Sequence, residues 1–352
     1  MPSLTPSLAA FLAEMPKVEL HVHVEGTLEP ETIFALAERN RVALAWADVE
    51  ALRAAYAFTD LQSFLDVYYA GASVLLTEAD FRDMVYAYLA RAHADRVIRA
   101  EIFFDPQTHT HRGVPIGVVI DGLCRGIAEA KAAFGIEADL ILCILRHLPE
   151  DDGLATLEAA LPHRDRFIGI GLDSSELGHP PEKFERLFSR ARELGLRLVA
   201  HAGEEGPADY VRSALDRLGA ERIDHGVRSL EDAELTARLA ADRVPLTVCP
   251  LSNLKLRVVD TLADHPLGRM LDAGLAATVN SDDPAYFGGY VGENWTRTFA
   301  ALGLGRDAAI RLSRNAIDAT FLDADAKAAL HARYDAFLED FDAAEDLDAR
   351  GN

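Results

Sequence analysis

Only three cysteines occur in the 352 residues, Cys124, Cys143 and Cys249. They are far apart and odd in number, which excludes a disulfide framework and a CxxC pair. Reduced, mostly buried thiols in a cytoplasmic protein are expected instead. Positive charge is scarce too. Lys and Arg total 35 against 57 Asp and Glu, giving a net charge of -22. That balance argues against nucleic acid and anionic membrane surfaces as partners. No apolar run reaches the roughly 18 residues that a spanning helix needs. Residues 1–16, MPSLTPSLAAFLAEMP, have neither the basic start nor the long apolar stretch of a secretory leader.

Hydrophobic residues make up 49% of the chain, ample for a large core. Short β-rich runs at 17–24, 97–105, 136–145, 167–173, 196–201, 221–226, 244–250 and 275–282 alternate with longer amphipathic segments such as 181–195 and 229–243. Several of the runs are almost continuously apolar, as parallel strands covered on both faces are. Eight such strands with helical crossovers predict an α/β protein, a (β/α)8 TIM barrel, with a doubly wound open sheet as the other arrangement. More than 70 residues separate the first two strands. They read as helices at 28–40, 60–77 and 78–94, an insertion that would cover the carboxyl end of the barrel. The tail from Arg306 to about Glu345 also reads as helices, with 346–352 fraying. Without a linker or repeat, residues 1–352 are expected to form one domain.

Polar residues fall where these strands end. His21 and His23 close the first in LHVHVEG, and their spacing puts both rings on one face. His201 closes the fifth in HAGEEG, His225 the sixth in RIDHG, and Asp282 and Asp283 the eighth in NSDDP. Each has an ordinary reading alone: a core histidine, a tight turn, an aspartate capping a helix that starts with proline. Strand ends of a barrel converge on one mouth, however, so the pattern predicts a cluster of imidazoles and carboxylates. Burying it uncompensated is costly, and a divalent cation resolves the cost. His21, His23, His201 and Asp282 form a donor set suited to a catalytic Zn²⁺ that keeps one position for water. Glu204, three residues past His201, is within reach of that water or of a substrate. Only five lysines occur, and none ends the fourth strand, FIGIGLDSSE. A lysine bridging two metals is therefore missing, and one zinc per chain is expected.

The motifs MPKVELHVHVEGTL, HAGEE, RIDHG, CPLSN and NSDDP, in that order, resemble the adenosine/adenine deaminase family of the amidohydrolase superfamily over about residues 16–315. The resemblance implies a one-zinc barrel that hydrolyses the C6 amino group of a purine. It makes Glu204 the proton-shuttling acid, His225 the histidine beside the attacking hydroxide, and Asp283 the residue that hydrogen-bonds N7 of the base. The stretches 102–113, 171–181 and 281–295, and Glu25 in HVEG, resemble the adenine deaminase branch. That implies adenine converted to hypoxanthine and ammonia in purine salvage, with Glu25 filling the space of a sugar. Adenosine, an N6-substituted adenine, another hydrolytic reaction, or a silent zinc-binding barrel stay open at this level.

Overall fold

The computed structural model describes residues 4–351. Residues 1–3, at the head of the stretch 1–16, and Asn352, at the end of the expected frayed tail, lie outside the described residues. The expected strands are all present: β1 (Lys17–Glu19), β2 (Val97–Phe104), β3 (Glu137–Leu145), β4 (Gly169–Asp173), β5 (Arg197–Ala202), β6 (Arg222–His225), β7 (Pro245–Val248) and β8 (Ala276–Val279). They pair in chain order, all parallel, as a (β/α)8 barrel. β2 is buried at all of its positions, as a strand covered on both faces is, and its two charged residues are paired: Arg99 with Asp139 and Glu101 with Arg222.

The seam between β8 and β1 closes by other means. Leu20 N donates to Asn280 Oδ1 at 2.8 Å. Beyond it, Asp282 N donates to His21 O at 3.0 Å and His23 N to Asp282 O at 2.9 Å. β1 is thus shorter than expected. The register shifts between Lys17 and Val18, and the histidines lie beyond the ladder, tied by single bridges from Val22 to Asp282 and from His23 to Phe103. Phe103, Ile141, Cys143 and Val199, from β2, β3 and β5, form a small buried cluster of their own. Phe103 lies under the site, its ring centroid 5.1 Å from those of both His21 and His23.

The insertion after β1 is helical, with helices at Pro30–Asn40, Val49–Ala54, Leu61–Ala72 and Glu78–Ala94. The expected helix 60–77 ends at Ala72; Asp60 and Ser63 form a capping box at its start. Glu78–Ala94 is the crossover helix to β2, and it packs on Ile116–Phe134. Gly122 and Gly126 allow that approach: a Cβ on Gly122 would stand 2.5 Å from Glu78 O, and one on Gly126 2.4 Å from Val85 Cγ1. The tail forms helices Arg306–Ala319 and Ala324–Gly351, and the last returns to the first helix, Pro6–Glu14, where Phe11 meets Phe337 and Phe341. No helix among the described residues is long and apolar enough to cross a membrane. The cysteines are free, Cys143 and Cys249 buried and Cys124 partly so.

Candidate active site

The carboxyl ends of the strands bring the expected residues together. His201 is the next-to-last residue of β5 and His225 ends β6, while His21, His23, Asp282 and Asp283 follow the short β1 and β8. All are buried. Asp282 (φ 65°) and His225 (φ 64°) adopt the left-handed backbone conformation that non-glycine residues rarely take, as does Ser174 (φ 73°) on the same rim. Such strain collects where function fixes a side chain. Asp283 stands before the short helix Pro284–Phe287, in the capping position, yet its side chain makes no cap bond. It is seated instead against Gly26, where a Cβ would lie 1.9 Å from Asp283 Oδ1.

Three imidazoles turn their Nδ1 atoms outward to oxygen. His21 Nδ1 lies 3.1 Å from the carbonyl of Thr247, His23 Nδ1 3.5 Å from Asp173 Oδ2, and His201 Nδ1 3.4 Å from Asp224 Oδ2. A carbonyl can only accept, so a neutral His21 carries its proton on Nδ1 and leaves a lone pair on Nε2; the Nδ1 approaches of His23 and His201 to carboxylates favour the same tautomer. Those lone pairs converge. His23 Nε2 is 3.2 Å from His201 Nε2, His21 Nε2 is 3.2 Å from Asp282 Oδ1, and His23 Nε2 is 3.6 Å from the same oxygen. His21 Nε2 has no hydrogen-bond partner although fully buried. One ligand atom from each of His21, His23, His201 and Asp282 lies within 4.8 Å of the others. Facing lone pairs repel unless a cation lies among them, and the edges match the roughly 3.3 Å between ligands of a tetrahedral zinc. The residues fit a divalent metal, with Nδ1 partners of the kind that orient metal-bound histidine.

Glu204 stands beside this cluster. Its Oε2 is 3.5 Å from His225 Nε2, which is 3.6 Å from Asp282 Oδ2. Glu204 Oε1 is buried without a partner. Burial, then the charge of Asp282, push the Glu204 carboxyl well above the usual carboxylate range. Burial works the same way on Asp282, but His21 and the other imidazoles hold its carboxylate well below that range. Burial lowers His225 well below an ordinary histidine, so the ring is neutral.

Several residues at the site escaped the sequence reading. Glu176, after β4, is buried, and its carboxylate accepts four backbone N–H groups: Gly203 at 2.6 Å on Oε1, and Glu204 at 3.1 Å, Glu205 at 2.8 Å and Gly206 at 2.7 Å on Oε2. It holds the loop that carries Glu204. Asp105 after β2 and Asp173 at the end of β4 line the cavity. Both close strands, in IFFD and GLD, so the strand-end rule could have found them. Glu25 does not line the cavity. Its Oε1 accepts from His109 Nε2 at 2.8 Å and from Asp105 N at 3.2 Å, behind Asp105. The expectation that it fills a sugar's space is corrected: it is a support, because His109 draws it away from the mouth.

The space at the mouth is small, about 380 Å³ with the open solvent in it. Leu61, Phe64, Leu65 and Tyr68 of the inserted helix form an apolar wall of the cavity that His23, His201 and Asp282 of the four-donor cluster also line. They follow the spacing of one helix face. Tyr69 also lines the cavity, whereas Phe58 packs behind it on Phe64 and Phe287.

A family model described as adenosine deaminase matches residues 16–337. An adenine deaminase from Cupriavidus taiwanensis is 65% identical over 335 residues, covering 95% of each chain. The crystal structure of an adenine deaminase from Arthrobacter aurescens superposes with a TM-score of 0.91 at 52% identity, covering 92% of this chain and 99% of that one. An amidohydrolase from Burkhoderia ambifaria, solved with bound Zn, superposes at 0.90 with 32% identity, covering 99% and 98%.

Proposed function

The chain belongs to the adenosine deaminase family, and from that premise we propose that it removes ammonia from adenine by hydrolysis, giving hypoxanthine, with one zinc ion per chain. His21, His23, His201 and Asp282 would hold the metal. When bound, zinc supplies a Lewis acid that renders water nucleophilic near neutral pH. The chain's own residues do the rest. Glu204, buried and without a partner on Oε1, donates a proton to N1 of the ring. That proton draws electron density from C6 and opens it to attack. His225, between Glu204 and Asp282, orients the incoming oxygen and screens its charge. Asp283 hydrogen-bonds the N7 edge and fixes which edge of the ring faces the ligands. The apolar wall of the inserted helix covers the ring and excludes water.

One observation carries the reading: a buried carboxyl with no partner on Oε1, beside a four-donor cluster and under an apolar wall. Identity of 65% with an adenine deaminase supports adenine as the substrate. The test is turnover of adenine and adenosine by zinc-loaded protein at equal concentration, followed by ammonia release. Adenine should react faster; faster turnover of adenosine would overturn the assignment.

A further inference from the structure

Two buried residues on this side of the barrel have no part in the reaction above: Asn253, from CPLSN, and His265, from the loop before β8. They join His225 to a backbone amide. Leu267 N lies 3.2 Å from His265 Nδ1, His265 Nε2 lies 3.1 Å from Asn253 Oδ1, and Asn253 Nδ2 lies 3.4 Å from His225 Nδ1. The direction of every bond follows from the first. A backbone N–H can only donate, so His265 Nδ1 must accept. A neutral imidazole then carries its one proton on Nε2, which must donate to the amide oxygen of Asn253. That oxygen fixed, the amide turns its N–H to His225, whose Nδ1 must accept. His265 is held neutral: burial, then the nearby Arg269, lowers it to about 3.

We propose that His265 and Asn253 form a one-way hydrogen-bond relay that keeps His225 in the tautomer with its proton on Nε2. Two consequences follow for the site. The Nε2–H faces Glu204 Oε2 and Asp282 Oδ2 and the space between them, so His225 donates a hydrogen bond to an oxygen placed there. The same proton occupies the lone-pair direction that a metal would need. His225 therefore stays out of the ligand set, although His225, Cys249 and Asp282 are close enough to hold an ion. The other three site histidines present Nδ1 to an oxygen, whereas His225 presents it to an amide N–H, so the relay separates the donor from the ligands. Asn253 and His265 are positioning residues; neither lines the cavity.

The tautomer follows from the geometry alone, and its effect on turnover rests on the deaminase reading. Two-bond ¹H–¹⁵N spectra of protein labelled on histidine nitrogen, zinc-loaded and metal-free, read the tautomer directly. In the unaltered protein His225 should be protonated on Nε2; a proton on Nδ1 overturns the relay without any variant having to fold. Asn253→Asp is nearly isosteric but can only accept, so it should draw a proton onto His225 Nδ1. With that shift kcat for adenine should fall roughly 100-fold or more, the scale on which a misplaced catalytic imidazole proton acts, while KM and zinc content change little. His265→Leu, which frees the amide to turn, should lower kcat, and His265→Gln, which restores a donor, should recover most of it. An unmoved tautomer in Asn253→Asp refutes the relay. A moved tautomer with undiminished kcat refutes its catalytic consequence. Absence of adenine turnover in the unaltered protein would count against the deaminase reading, and the spectra would still decide the relay.

Discussion

Replacing Glu176 by glutamine tests how the loop carrying the acid is held. The carboxylate accepts four backbone N–H groups, one on Oε1 and three on Oε2. Glutamine keeps the volume but has one oxygen. Turned to the three donors, it leaves its own NH₂ against Gly203 N–H, donor facing donor. A bond to a charged acceptor contributes roughly 1.5–3 kcal/mol and a neutral one 0.5–1.5, so three weakened bonds lose about 3 kcal/mol together, and the orphaned amide loses about 1–3 more. The buried Arg146, which donates to His201 O at 2.6 Å, also loses a neighbouring negative charge. Local opening of the loop relieves part of this, leaving a net loss of about 2–5 kcal/mol. That is a large share of the 5–15 kcal/mol typical of a folded protein but does not abolish folding. Urea denaturation should show the loss. Because a displacement of about 1 Å at the reacting groups can cost as much as 100-fold, kcat should fall more than KM rises. Glu205→Gln, on the same loop, keeps an oxygen to accept from Leu61 N at 3.3 Å, removes only the charge, and should shift stability by less than about 1 kcal/mol. If Glu176→Gln unfolds and turns over like the parent protein, the carboxylate does not hold the loop and the reasoning fails.

Glu204→Gln should keep the fold and one zinc per chain by metal analysis, since Glu204 is outside the four-donor cluster. It should lower kcat roughly 10²- to 10⁴-fold, and near-normal ammonia release from this variant would remove Glu204 as the acid. A separate prediction concerns Lys17, whose Nζ donates to Met15 O at 3.1 Å and which burial lowers to about 8. Between about 8 and 10.5 the native state has lost a proton that the unfolded chain still binds, so stability should rise with pH across that window by up to about 3 kcal/mol. The rise should be missing in Lys17→Met, and parallel stability curves for the two proteins between pH 8 and 10.5 would contradict it.

The strands were legible because apolar runs of strand length between amphipathic segments have few other arrangements, and each falls on its expected segment. The first was read too long. LHVHVEG alternates like a strand, but after Glu19 only a single bridge to Phe103 continues the pairing with β2, and the amides of Leu20 and His23 go to the Asn280 side chain and the backbone of Asp282, which only closure of the barrel supplies. The helix Val49–Ala54 was missed because six residues give no dependable period. At the site, ends of strands with a motif around them were found, whereas Asp105 and Asp173 were passed over for want of one. Glu176 and Glu25 are a different matter. Their partners lie from 27 to 30 residues away for the first and 80 and 84 for the second. No local pattern encodes such a pairing; it emerges only once β4 and β5, and the segments after β1 and β2, lie side by side.

The arrangement around His225 shows how the fold gives two carboxyls opposite tasks. Asp282 and Glu204 both approach its Nε2, at 3.6 and 3.5 Å, and both are almost fully buried. Burial alone would keep both protonated. What separates them is partners. Asp282 Oδ1 lies among the Nε2 atoms of His21 and His23 at 3.2 and 3.6 Å, where a cation held by that cluster would stabilise its ionised form. Glu204 meets no donor on Oε1, so its protonated form persists and it is fit to give a proton. Carboxyl groups driven apart in this way mark an acid and its ionised counterpart. The left-handed backbone at Asp282 goes with a side chain that faces the histidines, and the hydrogen bonds of Glu176 hold the loop that leaves Glu204 Oε1 without a donor. The division of labour is therefore set by backbone placement and not by the chemistry of the two side chains, which is nearly the same. An exchange of the two residue types, Glu at 282 and Asp at 204, would keep both charges and still lose the site, because each carboxyl would miss its partners by about the length of one methylene.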